Sequence, residues 1–227
     1  MLEPVPYLEK VTAFVTRKSP SPYSAVPMPL NLLLFQHPTA GIQFPAGTVE
    51  DGEPLEAAVL REVAEETGVS GARILRHIGW RDELPPTFTH VICRPTRVYS
   101  RPDPESFDWA GLRRGIAVRF ERRAGDFIQV TYDEGDRYPN PNFRSYVITG
   151  WVPADALALT NRRHFFHLEA PPGGPERWQQ FSDNHRFEPF WARMDALPEI
   201  VDTQQQWLDF VTGALGYRFS SGAGNVA

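Results

Sequence analysis

The sequence predicts an α/β fold, and three observations support that prediction. First, short runs of β-branched and other apolar residues, which are typical of strands, recur at 11–17, 31–37, 72–82, 88–95, 115–123, 126–134, 145–152, 163–170 and 185–194. Second, the run at 31–37 leads through a short loop into a helix-like segment. Third, apolar residues near helical spacing between 200 and 215 predict a helix towards the C-terminus.

The segments between these runs carry turn residues. Residues 19–29 are rich in Pro and Ser and are predicted to be a loop, and residues 99–115 are loop-like with two prolines. Ala124-Gly125 separates two alternating apolar patterns and predicts a β-hairpin. Residues 216–227 are expected to form a disordered tail.

The helix-like segment has a start signal and a stop signal. Pro54 suits the first turn of a helix, where its missing N–H costs nothing. Gly68 can adopt the left-handed conformation that often ends a helix. The pattern predicts a helix of about 14 residues between two loops.

Three carboxylates share one face of this predicted helix. At about 100° per residue, Glu62, Glu65 and Glu66 fall within one arc. A different arc holds Val59, Leu60 and Val63, which can be buried against a sheet. If the acidic face is partly buried, each like-charge pair costs on the order of 3 kcal/mol, and a cation must offset the repulsion. Hard divalent cations prefer such oxygen clusters. The alternative is a solvent-exposed acidic face, where each pair costs only about 0.2–0.5 kcal/mol.

The residues around the carboxylates extend the pattern. The spacing matches G-x5-E-x7-R-E-U-x-E-E-x-G-U, where U is aliphatic, at Gly47, Glu53, Arg61, Glu62, Val63, Glu65, Glu66, Gly68 and Val69. This string is the signature of the Nudix hydrolases, which the sequence resembles closely. The resemblance implies attack of water on a phosphorus atom of a nucleoside diphosphate that is linked to another group.

The resemblance also implies a metal site. Glu62, Glu65 and Glu66 match the metal-binding glutamates of the family, and the backbone carbonyl of Ala46 matches a position that often ligates metal. The expected cofactor is Mg²⁺ or Mn²⁺. Clustered metal ions can activate water and clamp the oxygens of a diphosphate, and positioning with charge neutralisation supplies most of the catalysis of phosphoryl transfer.

Catalytic roles follow from the same resemblance. Arg61 matches the arginine that pairs with the glutamate at Glu53. Within the signature, Glu65 or Glu62 is expected to accept the proton of the attacking water. Some members of the family use a glutamate from a distant loop instead, for which the candidates are Glu134, Glu169 and Glu188.

By resemblance, the fold is a Nudix-type α/β/α sandwich around a mixed sheet. Residues 1–95 and 163–215 resemble the family, so we expect one domain over 1–215. The stretch at about 96–162 is then an inserted, β-rich segment that the family does not explain. It could cover the active site, build a dimer contact or lengthen strands of the sheet.

The substrate is less constrained by the sequence. Phe44-Pro45-Ala46-Gly47 resembles the form seen in ADP-ribose pyrophosphatases, and Pro85 follows the signature at a similar spacing to the proline of those enzymes. The alternatives are a house-cleaning pyrophosphatase for nucleoside triphosphates and a non-catalytic nucleotide sensor with the same fold. Candidate substrate contacts are the aromatic or basic side chains of Trp80, Arg81 and Phe88, with Trp151 as a further residue that could stack on a base.

Composition predicts a cytoplasmic enzyme. No apolar run is long enough to cross a membrane, and the N-terminal residues lack the layout of a signal peptide. A net charge of −5 argues against non-specific binding to nucleic acid polymers. The partner that the resemblance implies is a small nucleotide, and a homodimer stays open. Cys93 is the single cysteine and is read as a small buried strand residue.

Two basic patterns are given structural interpretations. His164 and His167 form an H-x-x-H pair, but residues i and i+3 of a strand point to opposite faces, which argues against a shared metal. A group of arginines between 113 and 123 is predicted to form a solvated surface rather than a phosphate site; its members are Arg113, Arg114, Arg119, Arg122 and Arg123.

Overall fold

The computed structural model describes residues 7–18, 30–85, 89–135, 142–182 and 185–219. Within these ranges the strands are β1 (Tyr7–Lys18), β2 (Leu30–His37), β3 (Gly41–Gln43), β4 (Ala46–Thr48), β5 (Arg73–Glu83), β6 (Thr89–Ile92), β7 (Thr96–Tyr99), β8 (Asp108–Leu112), β9 (Ala117–Ala124), β10 (Phe127–Gly135), β11 (Arg144–Pro153), β12 (Leu157–Ala158), β13 (Thr160–Glu169), β14 (Gln180–Ser182) and β15 (His185–Arg193). The helices are α1 (Leu55–Thr67) and α2 (Asp202–Asp209), and a 3₁₀ turn covers Ala154–Ala156. The predicted α/β fold around a mixed sheet is confirmed, with strands dominating.

The chain divides into two compact units. Unit 1 contains the described parts of Met1–Lys10, Thr48–Gly52 and Arg81–Arg163. Unit 2 contains the described parts of Val11–Gly47, Glu53–Trp80 and His164–Ala227. The domain boundaries expected from the sequence, 1–215 with an insertion at about 96–162, remain a prediction.

Most of unit 2 is an eight-stranded sheet with the strand order β14-β15-β2-β1-β13-β5, to which β3 and β4 add at β2 and β1. Strand β2 pairs antiparallel with both β1 and β15. Alternate residues of β2, Leu32 and Leu34, are fully buried in one apolar cluster with Phe14 of β1 and Phe165 of β13. Helix α2 joins this cluster through its buried Trp207 and Leu208 and so covers one face of the sheet.

Unit 1 contains a seven-stranded sheet ordered β12-β6-β9-β10-β11-β7-β8. The β9–β10 hairpin turns at Gly125, whose φ of 58° lies in the left-handed region that suits glycine. Alternating residues of β10, Ile128 and Val130, point into a separate apolar core with Val118 of β9 and Val152 of β11. Unit 1 is therefore stabilised by a core of its own.

The strand runs, the hairpin at Ala124-Gly125 and the two helices predicted from the sequence are confirmed. The loop predicted over 99–115 is wrong in part, because Asp108–Leu112 forms β8 and pairs with β7. This run is short and contains Gly111, and its partner supplies what its own strand propensity lacks. The C-terminal helix also changes form, since α2 gives way to a π-helical turn over Phe210–Ala214.

Smaller corrections concern single residues. Val59 and Val63 of α1 are buried as expected, but Leu60 is exposed. Pro54 lies at the N-cap of α1 rather than in its first turn, with extended backbone angles, and its carbonyl accepts the N–H of Ala58. Cys93 is buried as expected, but it lies just after β6 rather than inside a strand. The loop predicted at 19–29 and the terminal part of the predicted tail, 220–227, lie outside the described residues. In the described part of the chain, no helix is long and apolar enough to cross a membrane.

Candidate active site

Helix α1 carries the acidic side chains and is fixed at its C-terminal end. Gly68 adopts a φ of 73° and donates its N–H to the carbonyl of Ala64, which confirms the predicted left-handed stop. Two side chains then bond the last carbonyls of the helix: Trp178 Nε1 donates to Thr67 O at 2.6 Å and Gln180 Nε2 donates to Glu65 O at 3.0 Å. These bonds satisfy acceptors that a helix end otherwise leaves open.

Glu62 is the buried carboxylate of the set. Its side chain lies against Gly47, in the volume that a Cβ atom at position 47 would occupy. In this conformation, the carboxylate of Glu62 therefore requires a residue without a Cβ atom at position 47. Burial raises the pKa of Glu62 above its ordinary value, and the neighbouring guanidinium of Arg61 opposes that shift.

Arg61 and Glu53 form a two-pronged ion pair. Arg61 donates from Nε to Glu53 Oε1 and from Nη2 to Glu53 Oε2, each at 2.9 Å. Both side chains are mostly buried, with 23% and 15% exposure. The hydrogen bonds to Glu53 raise the pKa of Arg61 above its ordinary value, so its positive charge is permanent. A planar guanidinium matches a carboxylate in this geometry, which a lysine cannot reproduce.

The third guanidinium nitrogen of Arg61 joins two more carboxylates. Nη1 donates to Glu62 Oε1 at 2.9 Å and to Glu65 Oε2 at 3.1 Å. Because both oxygens share one donor, they lie within two hydrogen-bond lengths of each other. The structure thus brings Glu53, Glu62 and Glu65 around one arginine, and we call these four residues the Arg61 network.

Glu66 lies on the same helix and reaches a different partner. Its Oε2 accepts the backbone N–H of Ala46 at 2.9 Å. The residue before Ala46 is fixed as well, since Pro45 O accepts the N–H of Ala13 in β1. Ala46, which the sequence marked as a backbone ligand, is therefore held beside the carboxylate of Glu66.

The fit of this site to a metal ion can be tested on its donors. Within the described ranges, no three His, Cys, Asp or Glu side chains already converge on one point. The contacts above explain this, because Arg61 holds the oxygens of Glu62 and Glu65. The donor set itself fits a hard divalent cation: all its side-chain donors are carboxylate oxygens, and the cradle at Gly47 places one of them in a buried position.

The remaining candidate site residues have separate environments. Trp80 is 47% exposed, Arg81 bonds Glu83 at 3.3 Å, and Phe88 lies outside the described residues. Trp151 is buried beneath Arg122. Their role as substrate contacts remains a prediction.

The three distant candidates for the proton acceptor each have a partner. Glu134 accepts the hydroxyl of Tyr132. Glu169 accepts Arg73 at 2.7 Å, and Glu188 lies 3.6 Å from Arg177. Their catalytic role stays a prediction.

The two histidines of the H-x-x-H pair bond different groups, as expected for opposite faces of a strand. His164 Nδ1 lies 3.2 Å from His77 Nε2, whereas His167 lies between the hydroxyls of Thr16 and Tyr217, at 2.8 and 2.5 Å. Burial lowers the pKa of His167 to about 4, so this ring is a neutral core residue.

Arg114 does not lie on a solvated surface, although the sequence analysis predicted this for its group of arginines. It is partly buried, and it donates from Nε to Val49 O at 2.9 Å and from Nη1 to Cys93 O. By contrast, Arg123 bonds the carbonyl of Gly125 at an exposed turn. The sequence could not separate these two arginines, because the partner of Arg114 lies 65 residues away along the chain.

A cavity of about 370 Å³ lies beyond the C-terminal end of α1. Its walls include Trp178, Trp191 and the residues that follow the helix, Gly68, Val69 and Ser70. None of the carboxylates of α1 lines it. The chemistry of the Arg61 network, rather than this cavity, defines the candidate active site.

A comparison with models of protein families identifies the family of this chain. A model described as the NUDIX domain matches residues 24–209, which is most of the chain. The chain therefore belongs to the Nudix family.

More particular relatives match over shorter stretches or more weakly. Two curated proteins named RNA pyrophosphohydrolase, from Caulobacter vibrioides strains NA1000 / CB15N and ATCC 19089 / CIP 103742 / CB 15, are each 52% identical over 46 residues. That match spans 20% of this chain and 27% of each relative. A solved structure described as a UDP-X diphosphatase is 13% identical, with a TM-score of 0.35 over 92% of this chain and 64% of that one.

Proposed function

We propose that this chain is a Mg²⁺- or Mn²⁺-dependent pyrophosphohydrolase that cleaves the diphosphate linkage of a nucleoside diphosphate derivative. The observation that carries the proposal is the Arg61 network, in which one guanidinium contacts three carboxylates beside a glycine cradle. Membership of the Nudix family supports the same reaction class. Nucleotide sugars such as ADP-ribose are the expected substrates, on the resemblance of Phe44-Pro45-Ala46-Gly47.

The residues of the candidate site have different proposed roles. Glu62, Glu65 and Glu66, with the carbonyl of Ala46, would hold the ion, which supplies positive charge opposite the diphosphate when it is bound. Arg61 keeps Glu53 and Glu62 in place through its Nε, Nη2 and Nη1 donors. The protein thereby fixes the orientation of the carboxylates before the substrate arrives, which is how most of the barrier to phosphoryl transfer is lowered.

Glu65 is the better placed of the two proton acceptors within the network. Its side chain is 47% exposed, whereas that of Glu62 is 12% exposed. A water molecule can therefore approach Glu65 from solvent. We assign to Glu65 the removal of the proton from the attacking water, with Glu62 as the alternative, in line with the usual requirement for hydrogen-bond reach.

A substrate panel with Mg²⁺ and Mn²⁺ tests the function. It contains ADP-ribose, other nucleotide sugars, deoxynucleoside triphosphates, their oxidised forms and an RNA oligonucleotide with a 5′-triphosphate, since two relatives are named RNA pyrophosphohydrolase. Products are separated and phosphorus-containing fragments identified. Faster turnover of nucleotide sugars supports the proposal. Preference for deoxynucleoside triphosphates or their oxidised forms replaces it with a house-cleaning role. Tight binding of a nucleotide without turnover of any compound would instead identify a sensor.

A further inference from the structure

The segment Ala46–Glu53, which runs from β4 to just before α1, connects two parts of the candidate site. Ala46 and Gly47 lie at its start, beside Glu66 and Glu62, and Glu53 lies at its end, on Arg61. The five residues between them, Thr48–Gly52, belong to unit 1. The chain is continuous through all three parts, so the position of this loop constrains both of its ends.

Three of the hydrogen bonds in the described part of unit 1 hold this loop. The N–H of Val49 donates to the carbonyl of Glu9 at 3.0 Å. Lys10 Nζ donates to Thr48 Oγ1 at 3.1 Å. Arg114 Nε donates to the carbonyl of Val49 at 2.9 Å, so both backbone groups of Val49 are bonded. The side chain of Val49 is itself 1% exposed, which leaves the loop little freedom.

We call the bonds from Glu9, Lys10 and Arg114 to this loop the clamp. Of these residues, Arg114 belongs to the inserted segment. It lies in the turn between β8 and β9, next to Gly115, which has a φ of 90° and is a neighbour of Thr48. Its guanidinium also donates to the carbonyl of Cys93, just after β6. One side chain thus joins the loop to the β-sheet of unit 1 through two carbonyl groups.

We propose that Arg114 is a positioning residue for the acidic site, which holds the Thr48–Gly52 loop so that Ala46 and Glu53 stay in place at its two ends. The inserted segment would then support the chemistry from a distance. A guanidinium can bond two carbonyls in different directions, whereas an ammonium at position 114 keeps the charge and loses one of the two bonds. The expected effect on activity depends on the proposed function, but the effect on the loop does not.

The test compares Arg114→Lys with Arg123→Lys, a matched control in unit 1 whose arginine bonds the carbonyl of Gly125 at an exposed turn. Amide hydrogen exchange of a peptide covering 48–52 reports on the loop, and electron paramagnetic resonance of free Mn²⁺ reports on metal binding without substrate. In Arg114→Lys we expect exchange at Val49 to rise about 10-fold and Mn²⁺ affinity to fall about 10-fold. With an active enzyme, kcat falls with the metal affinity while KM stays near its wild-type value.

Other outcomes separate the two proposals. If the wild type turns over no substrate but Arg114→Lys still loosens the loop and weakens Mn²⁺ binding, the proposed function fails and the positioning role stands. If the loop exchanges as slowly as in Arg123→Lys, the positioning role is wrong. A uniform rise of exchange across β2 and β10 also overturns it, because Arg114 would then only stabilise the fold. Thr48→Val removes the acceptor of Lys10 and gives a second test, with a smaller rise of about 3-fold expected at the same loop and an unchanged loop counting against the clamp.

Discussion

The two units each contain an arginine–carboxylate network, and the balance of charge differs between them. In unit 2, the single guanidinium of Arg61 contacts three carboxylates. In unit 1, the single carboxylate of Glu83 accepts two guanidinium groups, from Arg81 at 3.3 Å and from Arg163 at 2.9 Å. Among these contacts of the described residues, carboxylates outnumber guanidinium groups in the first arrangement, and guanidinium groups outnumber carboxylates in the second.

The two networks also differ in how deeply their charged side chains are buried. Arg163 is 7% exposed, and burial lowers its pKa while the charge of Glu83 opposes the shift. An ion pair of this kind is costly to break, because removing one partner leaves the other charge buried. The Arg61 network instead keeps Glu65 half-exposed at its edge. We therefore read the Glu83 network as structural and the Arg61 network as catalytic, and four predictions test that reading.

The largest expected effect is that of metal removal. We expect EDTA to abolish hydrolysis, and added Mg²⁺ or Mn²⁺ to restore it, because the carboxylates of the Arg61 network outnumber its single cation. Zn²⁺ should restore little, since the donors are all oxygens. The measurement is the initial rate after exhaustive chelation and after each ion is returned. Activity that survives chelation would refute the catalytic role of the acidic network.

The second prediction concerns Glu65→Gln and Glu66→Gln. Each change keeps the shape of the side chain and removes one charge, and we expect kcat to fall by at least about 10²-fold, or about 2.7 kcal/mol. Less repulsion among the remaining carboxylates should leave the unfolding temperature equal or higher. Glu56→Gln is the matched control, since Glu56 is exposed in the first turn of the same helix. If both test variants keep the wild-type kcat, the carboxylates of α1 form only a solvent-exposed acidic face and the proposed catalytic role is wrong.

A smaller loss is expected for Arg61→Lys. Lysine keeps the positive charge but loses the planar fork that bonds both oxygens of Glu53. The metal-binding carboxylates remain, so kcat and metal affinity should fall together by about 10-fold with KM nearly unchanged. A rate measurement across a Mg²⁺ titration separates the two effects. If KM rises tenfold at constant kcat, Arg61 contacts substrate and the assignment fails.

The smallest effect on catalysis is expected in the other network. Glu83→Gln leaves Arg163 buried without its carboxylate, and we expect the free energy of unfolding to fall by about 3 kcal/mol while kcat of the folded enzyme stays at the wild-type value. Denaturant unfolding and kinetics measure the two quantities. Asp195→Asn, which breaks an exposed pair with Arg193, should change the free energy of unfolding far less. A large loss of kcat in Glu83→Gln would remove the contrast between the networks.

How much the sequence could predict depends on how local each feature is. Helix α1, its stop at Gly68 and the shared arc of Glu62, Glu65 and Glu66 follow from spacing within one segment, and the structure has all three. The pairing of Glu53 with Arg61 came from the family resemblance rather than from the spacing, since loop geometry decides it.

The features that sequence analysis missed depend on distant partners. Strand β8 is defined by its pairing with β7, and its own residues look like a loop. In the sequence, Arg114 cannot be distinguished from its neighbouring arginines, because its bond to the carbonyl of Val49 is formed only in the folded chain. Trp178 and Gln180, which bond the end of α1, gave no signal because their acceptors are backbone groups more than 100 residues away.

Those two bonds at the end of α1 have a consequence for how far the helix can slide along its own axis. A shift of one residue moves a helix by about 1.5 Å, which is enough to break both the bond from Trp178 Nε1 and the bond from Gln180 Nε2. The carboxylate of Glu62 also depends on a neighbour outside the helix, because it occupies the space that a Cβ atom at Gly47 would fill. The axial position of α1, and with it the depth of its carboxylates, is therefore set by Trp178 and Gln180 as well as by the helix itself.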